Sequence, residues 1–161
     1  ASAWSIGANA VARLFVERSK NATRLDANFS LTDLSKELGL SLDDVRDALH
    51  ELRGFVENHR DSVLSARDEL FAQFDKYWMP WTTEDDALRL ATGLVNDPDF
   101  PKHPEEQAKV LGWPARRLNP ATAFLANRGL IKELRSHTGG PWQFATMLKT
   151  DATRRFVRSA N

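Results

Sequence analysis

The sequence predicts a mainly α-helical protein with small antiparallel β hairpins, built as two similar units joined by an aromatic-rich helix. Three observations predict it. Apolar residues recur at helical spacing in segments that open on Ser, Thr or Pro and close on Gly. Short β-prone runs follow Gly54 and Gly129. The first half also maps onto the second at a spacing of 73 residues. In that match Lys36, Leu38, Gly39, Ala48 and Leu52 fall on Lys109, Leu111, Gly112, Ala121 and Leu125, and Val45 falls on Leu118.

The elements follow in order. Residues 3–19 read as a helix on the stripe Ile6, Ala10, Leu14 and Phe15, and polar residues 21–28 read as a loop. Ser30 or Thr32 caps a short helix that buries Leu34 and Leu38 and stops at Gly39. Ser41, with Asp44 three residues on, caps a second helix whose stripe is Val45, Ala48, Leu49 and Leu52. After Gly54, Phe55-Val56 and Ser62-Val63-Leu64 form a first hairpin. Residues 66–78 make a helix with Leu70, Phe71, Phe74 and Trp78 on one side, and Pro80 ends it. The boundary falls at 79–83, which divides the chain into units 1–79 and 82–161.

In the second unit Thr83 caps a helix over 84–95, and Pro104 sits at the first position of a helix ending at Gly112. Residues 114–128 hold a third helix interrupted by Asn119-Pro120. Proline inside a helix costs about 3 kcal/mol, so the cheaper arrangement has Asn119 as N-cap and Pro120 as first residue. Leu130–Arg135 and Trp142–Leu148 alternate as a second hairpin, with Trp142, Phe144 and Thr146 on one face. Thr150 or Asp151 caps a last helix over 152–159.

Composition narrows the function classes. Apolar residues at 42% and charged residues at 27% fit a globular domain rather than a disordered chain. Cysteine is absent, so disulfides and thiol chemistry are excluded and most structural zinc sites with them. No apolar run is long enough to span a membrane and no signal-peptide pattern opens the sequence, so a cytoplasmic, intracellular setting is expected. Net charge is zero but unevenly spread. Residues 109–161 hold ten Lys/Arg against two Asp/Glu, leaving +8 there and −8 in the rest. That asymmetry points to an anionic partner for the basic end, or to attraction between the two halves.

The segments LSKELGLSLDDVRDALHELRGFV and QAKVLGWPARRLNPATAFLANRGLI resemble the helix-turn-helix of the winged-helix superfamily. IKELRSHTGGPWQFATMLKTDATRRFV resembles its wing and final helix. The resemblance implies tandem winged-helix units, a third helix that enters the DNA major groove and a wing that touches backbone or minor groove. It leaves protein binding open, because many winged helices bind only protein.

The internal match separates the two units. Asp43 and Asp44, early in the first recognition helix, fall on Arg116 and Arg117. Carboxylates repel phosphates, whereas guanidiniums attract them and pair with guanine edges. The first unit therefore reads as structural or protein-binding, and the second as the nucleic-acid contact. The candidate residues are Arg116, Arg117, Asn119 and Thr122 around the third helix, with Arg135 and His137 in the wing. DNA is the expected ligand, with RNA as the other polyanion. Alternatively, Arg116 and Arg117 pair with the acidic segments 84–86 or 97–106, and Arg154, Arg155 and Arg158 form a solvated helix face.

Nothing reads as an enzyme. His50, His59, His103 and His137 lack ligand spacing, the serines lack a GxSxG context, and no phosphate loop appears. No metal or cofactor is expected. The aromatic group Phe71, Phe74, Tyr77, Trp78 and Trp81 either packs the units together or forms a dimer seam. The competing function is a protein-interaction or dimerisation scaffold that docks a second copy or another protein through the acidic helix-turn-helix or the aromatic linker.

Overall fold

The computed structural model describes residues 3–24, 26–59, 62–134 and 140–160. The chain is mainly helical with two small antiparallel sheets. The elements run α1 (Ile6–Arg18), β1 (Asn28–Phe29), α2 (Leu31–Leu38), α3 (Leu42–Glu51), β2 (Val56–Asn58), β3 (Leu64–Ala66) and α4 (Asp68–Trp78). They continue α5 (Thr83–Asn96), α6 (Pro104–Leu111), α7 (Ala115–Asn127), β4 (Lys132–Leu134), β5 (Thr146–Leu148) and α8 (Asp151–Ser159). No described helix is long and apolar enough to cross a membrane.

Local chemistry sets several helix ends. The Ser5 hydroxyl accepts from the Ala8 N–H at 3.1 Å, and Ser41 accepts from Asp44 at 3.1 Å. Ser30 and Asp33 form a reciprocal capping box: the Ser30 hydroxyl accepts from the Asp33 N–H at 3.0 Å, and the Asp33 carboxylate accepts from the Ser30 N–H at 2.9 Å. Gly39 and Gly112 end α2 and α6 in the left-handed region, at φ 65° and 71°, where a side chain would be strained.

Buried apolar side chains fall into two clusters. One joins α1, α2, α3 and α4 around Phe15, Leu34, Leu52, Leu70 and Phe74. The other joins α5, α7, β5 and α8 around Leu90, Leu118, Leu125 and Met147. Each such side chain contributes about 1.5–3 kcal/mol when fully removed from water. Phe74 centres an aromatic group: Trp78 stacks on it at 5.9 Å, while Trp4 and Phe55 approach at 5.3 and 5.7 Å. Most of the linker aromatics thus fill the first core, although Tyr77 stays half exposed.

Several details differ from the sequence expectation. The loop over 21–28 ends in a strand, β1, which pairs with β3 and makes a three-stranded sheet in the order β1-β3-β2. Thr83 is the first helical residue of α5 rather than its cap; its hydroxyl is buried and donates to the Phe71 carbonyl. In the second hairpin Thr146–Leu148 pairs with β4, in the register Glu133 opposite Met147, and the Ala145 N–H also donates to the Leu134 carbonyl. Phe144 and Met147 both turn inward, so alternation does not run unbroken from Trp142.

The largest difference is in α7. The helix starts at Ala115 and continues past Pro120, without an N-cap at Asn119. The carbonyl of Arg116 forgoes its helical partner there. A continuous helix places Leu118, Ala121 and Leu125 on one fully buried face, and that packing outweighs the local proline penalty.

Candidate functional site

α4 and α7 cross as antiparallel neighbours, and α5 packs along both. Charged side chains join them at both ends. At the start of α7, the Arg116 guanidinium grips the Asp75 carboxylate with two parallel hydrogen bonds of 2.7 and 2.8 Å. It also donates to the Val16 carbonyl at 3.2 Å, serving an unpaired oxygen near the end of α1. Asp75 is fully buried, and only 7% of the Arg116 side chain meets solvent. Arg117 repeats the fork on Asp86 of α5, at 2.8 Å for both bonds. Phe71 lies 4.6 Å below the Arg116 guanidinium, Trp113 lies 4.6 Å from that of Arg117, and Trp81 lies within 6 Å of both. At the far end of α7, Arg128 reaches Glu69 at 3.2 Å, and Asn127 donates to Asp68.

The electrostatics follow from burial. Desolvation pushes the Asp75 carboxyl above its ordinary value, while the Arg116 guanidinium and the Trp81 N–H pull against that shift. The hydrogen bonds to Asp86 raise Arg117 further above its ordinary value, which holds it charged.

This geometry gives the residues expected at a nucleic-acid contact internal partners. Arg116 and Arg117 are spent on Asp75 and Asp86, facing inward rather than toward a groove. Arg117 takes the acidic segment 84–86 that was one of its alternatives. Arg116 instead takes Asp75, a partner 41 residues back on α4. Asn119 is buried and ties three segments together: its amide donates to the carbonyls of Asn21 and Pro141, and its oxygen accepts from the Gln143 N–H. Thr122 is buried, and its hydroxyl donates back to the Leu118 carbonyl within α7. Arg135 and His137 lie outside the described residues. The structure therefore brings Arg116, Arg117, Asn119 and Thr122 together as an internal junction.

Sequence reasoning missed Asp75 and named Asp86 only as part of the acidic segment 84–86, although a signal was present for both. Asp75 lies one helical turn after Phe71, and Asp86 one turn before Leu90, so each carboxylate sits on an apolar stripe. A carboxylate in that position requires a buried cationic partner.

Among the described residues, α3 and α8 each present an open charged surface. α3 buries only Val45 and Ala48 and presents Leu42, Asp43, Asp44 and Asp47 to solvent. α8 presents Arg154, Arg155 and Arg158, which line a groove of about 480 Å³ against Val95, Asn96 and Val157. Among the described residues no group of three His, Cys, Asp or Glu could hold a metal ion.

No family model and no curated protein matches the chain.

Proposed function

We propose that the chain is a tandem winged-helix protein-interaction module whose two units, 1–79 and 82–161, are locked by the Arg116–Asp75 pair and, at the other end of α7, by Arg128–Glu69. The order helix, helix, helix, hairpin in each half supports the winged-helix reading. One observation carries the functional choice: neither third helix is fit to read a groove. α7 buries nine of its thirteen residues, including Arg116, Asn119 and Thr122. α3 is exposed but carries Asp43, Asp44 and Asp47, which repel phosphate. An exposed acidic helix that opens on Leu42, 42% exposed, suits a basic protein segment with an apolar anchor.

The test uses the full chain and two fluorescent probes: a basic amphipathic helical peptide and a mixed-sequence duplex DNA. The peptide is expected to bind, to protect α3 amides from hydrogen exchange, and to lose affinity when Asp43, Asp44 and Asp47 become lysines. Tighter binding of the duplex than of the peptide, with protection on α7, would overturn the reading.

A further inference from the structure

The two open charged surfaces match each other in spacing as well as in sign. Asp44 and Asp47 stand three apart on α3, and neither carboxylate makes a hydrogen bond or ion pair among the described residues. Arg155 and Arg158 stand three apart on α8, exposed and equally without partners there. Residues three apart are neighbours on one helix face, so each pair presents two like charges one turn apart. Their neighbours are already occupied: Asp43 pairs with Arg46 at 3.2 Å, and Arg154 pairs with Asp151 at 2.9 Å. The groove beside α8 has an apolar floor in Val95 and Val157.

We infer that the basic segment received by α3 is α8 of a second copy of this chain, with Asp44 and Asp47 set against Arg155 and Arg158. This rests on α3 being a protein-docking surface and names its occupant. A second copy fits because the chain as a whole is neutral while its surfaces are not, so self-pairing satisfies both faces at once. A phosphate polymer fits the α8 groove less well. The carbonyl end of α5 and the Asp151 carboxylate border the groove, and both oppose an anion. Its apolar floor also has no use to a sugar-phosphate chain.

Sedimentation velocity of the full chain at about 50 mM and about 500 mM salt tests this, since exposed charges are screened across that range. The expected result is a weight-average mass that rises with loading at low salt and returns to that of one chain at high salt. D44K with D47K, and separately R155E with R158E, should each weaken assembly at least about tenfold, because like charges then face each other. Mixing the two variants should restore assembly, since the acidic α3 of one meets the basic α8 of the other. Circular dichroism confirms that both variants stay folded. A single-chain mass at every loading in low salt would overturn the inference, as would assembly insensitive to either reversal. If the chain stays monomeric yet its α3 still binds the basic peptide, only the identity of the partner falls. Duplex DNA binding by a monomeric chain that is lost in R155E with R158E would assign the α8 face to phosphate and overturn the self-pairing.

Discussion

α3 and α7 occupy corresponding places 73 residues apart, yet one lies on the surface and the other in the interior. Where α3 has Asp43 and Asp44, α7 has Arg116 and Arg117; where α3 has Asp47, α7 has Pro120. Two buried alanine and leucine positions are shared, Ala48 with Ala121 and Leu52 with Leu125, and these give both helices the same inward stripe. The difference lies on the outer face. That of α7 is covered by α4 and by the chain around Asn21 and Gln143, so its arginines must find carboxylates inside the protein. The outer face of α3 has no such cover. The same helical position can therefore be a binding surface or a structural joint, according to what packs on its far side.

The strongest way to break this comparison is at Asp75. Asp75→Ala leaves the Arg116 guanidinium buried without its carboxylate and should cost about 3–5 kcal/mol, read as a lower urea midpoint. Replacing both partners by apolar residues, Asp75→Leu with Arg116→Met, should recover most of that loss. Recovery is incomplete because the Val16 carbonyl loses its donor. A loss under 1 kcal/mol in the single variant would mean that the α4–α7 joint is open to water.

The Arg117–Asp86 pair ranks next, because 30% of the Arg117 side chain already meets solvent. Arg117→Ala should cost about 1–2 kcal/mol, less than a fully buried charge-assisted pair, since water screens part of the interaction. A double-mutant cycle with Asp86→Ala isolates the pair from the packing of Trp81 and Trp113.

How far the sequence discloses this contrast depends on the range of the interactions. Helix starts and stops are local, and Ser30, Ser41, Gly39 and Gly112 mark them in the sequence as they do in the structure. The brief strand β1 is not local, since Asn28-Phe29 becomes a strand only because β3 pairs with it. The course of α7 through Pro120 is decided by packing that overrides the proline penalty. For Arg117 the acidic segment 84–86 was among the destinations open to it, but for Arg116 the charge was legible and its destination was not. Nothing near Arg116 in sequence names Asp75, and the guide to it was a carboxylate on the apolar stripe of α4. Attraction between the halves, considered beside an anionic partner, accounts for Arg116, Arg117 and Arg128 but leaves the α8 arginines open.

The helices preceding α3 and α7 sharpen the comparison at a smaller scale. Ser30 and Asp33 of the first unit correspond to His103 and Glu106 of the second. α2 opens on the capping box, whereas α6 opens on Pro104 with no side-chain cap. Ser30→Ala should cost about 1 kcal/mol in thermal unfolding. The box is also sensitive to acid. The Ser30 N–H and hydroxyl hold the Asp33 carboxyl below its ordinary value, so its contribution is complete above the ordinary carboxylate range and disappears as pH falls through the lowered value. The stability gap between the parent and Asp33→Ala should therefore be open at neutral pH and close in acid, in unfolding curves taken across that range. A gap unchanged by acid would mean that the carboxylate is not part of the cap.

The smallest effect is expected at Asp47, and it probes the exposed side of the comparison directly. Asp47 lies in the middle of α3, away from its first turn, and its carboxylate has no hydrogen bond or ion pair among the described residues. Asp47→Lys should change stability by no more than about 0.5 kcal/mol, as surface substitutions away from special features do. At the matching place in α7 the proline is buried against the rest of the protein. Equal stability with altered binding of a basic peptide would separate the folding role of α7 from the surface role of α3. A loss of 2 kcal/mol or more, on the scale of a buried unpaired group, would place α3 inside a packed interface of the single chain. The two helices would then differ in charge alone, not in burial.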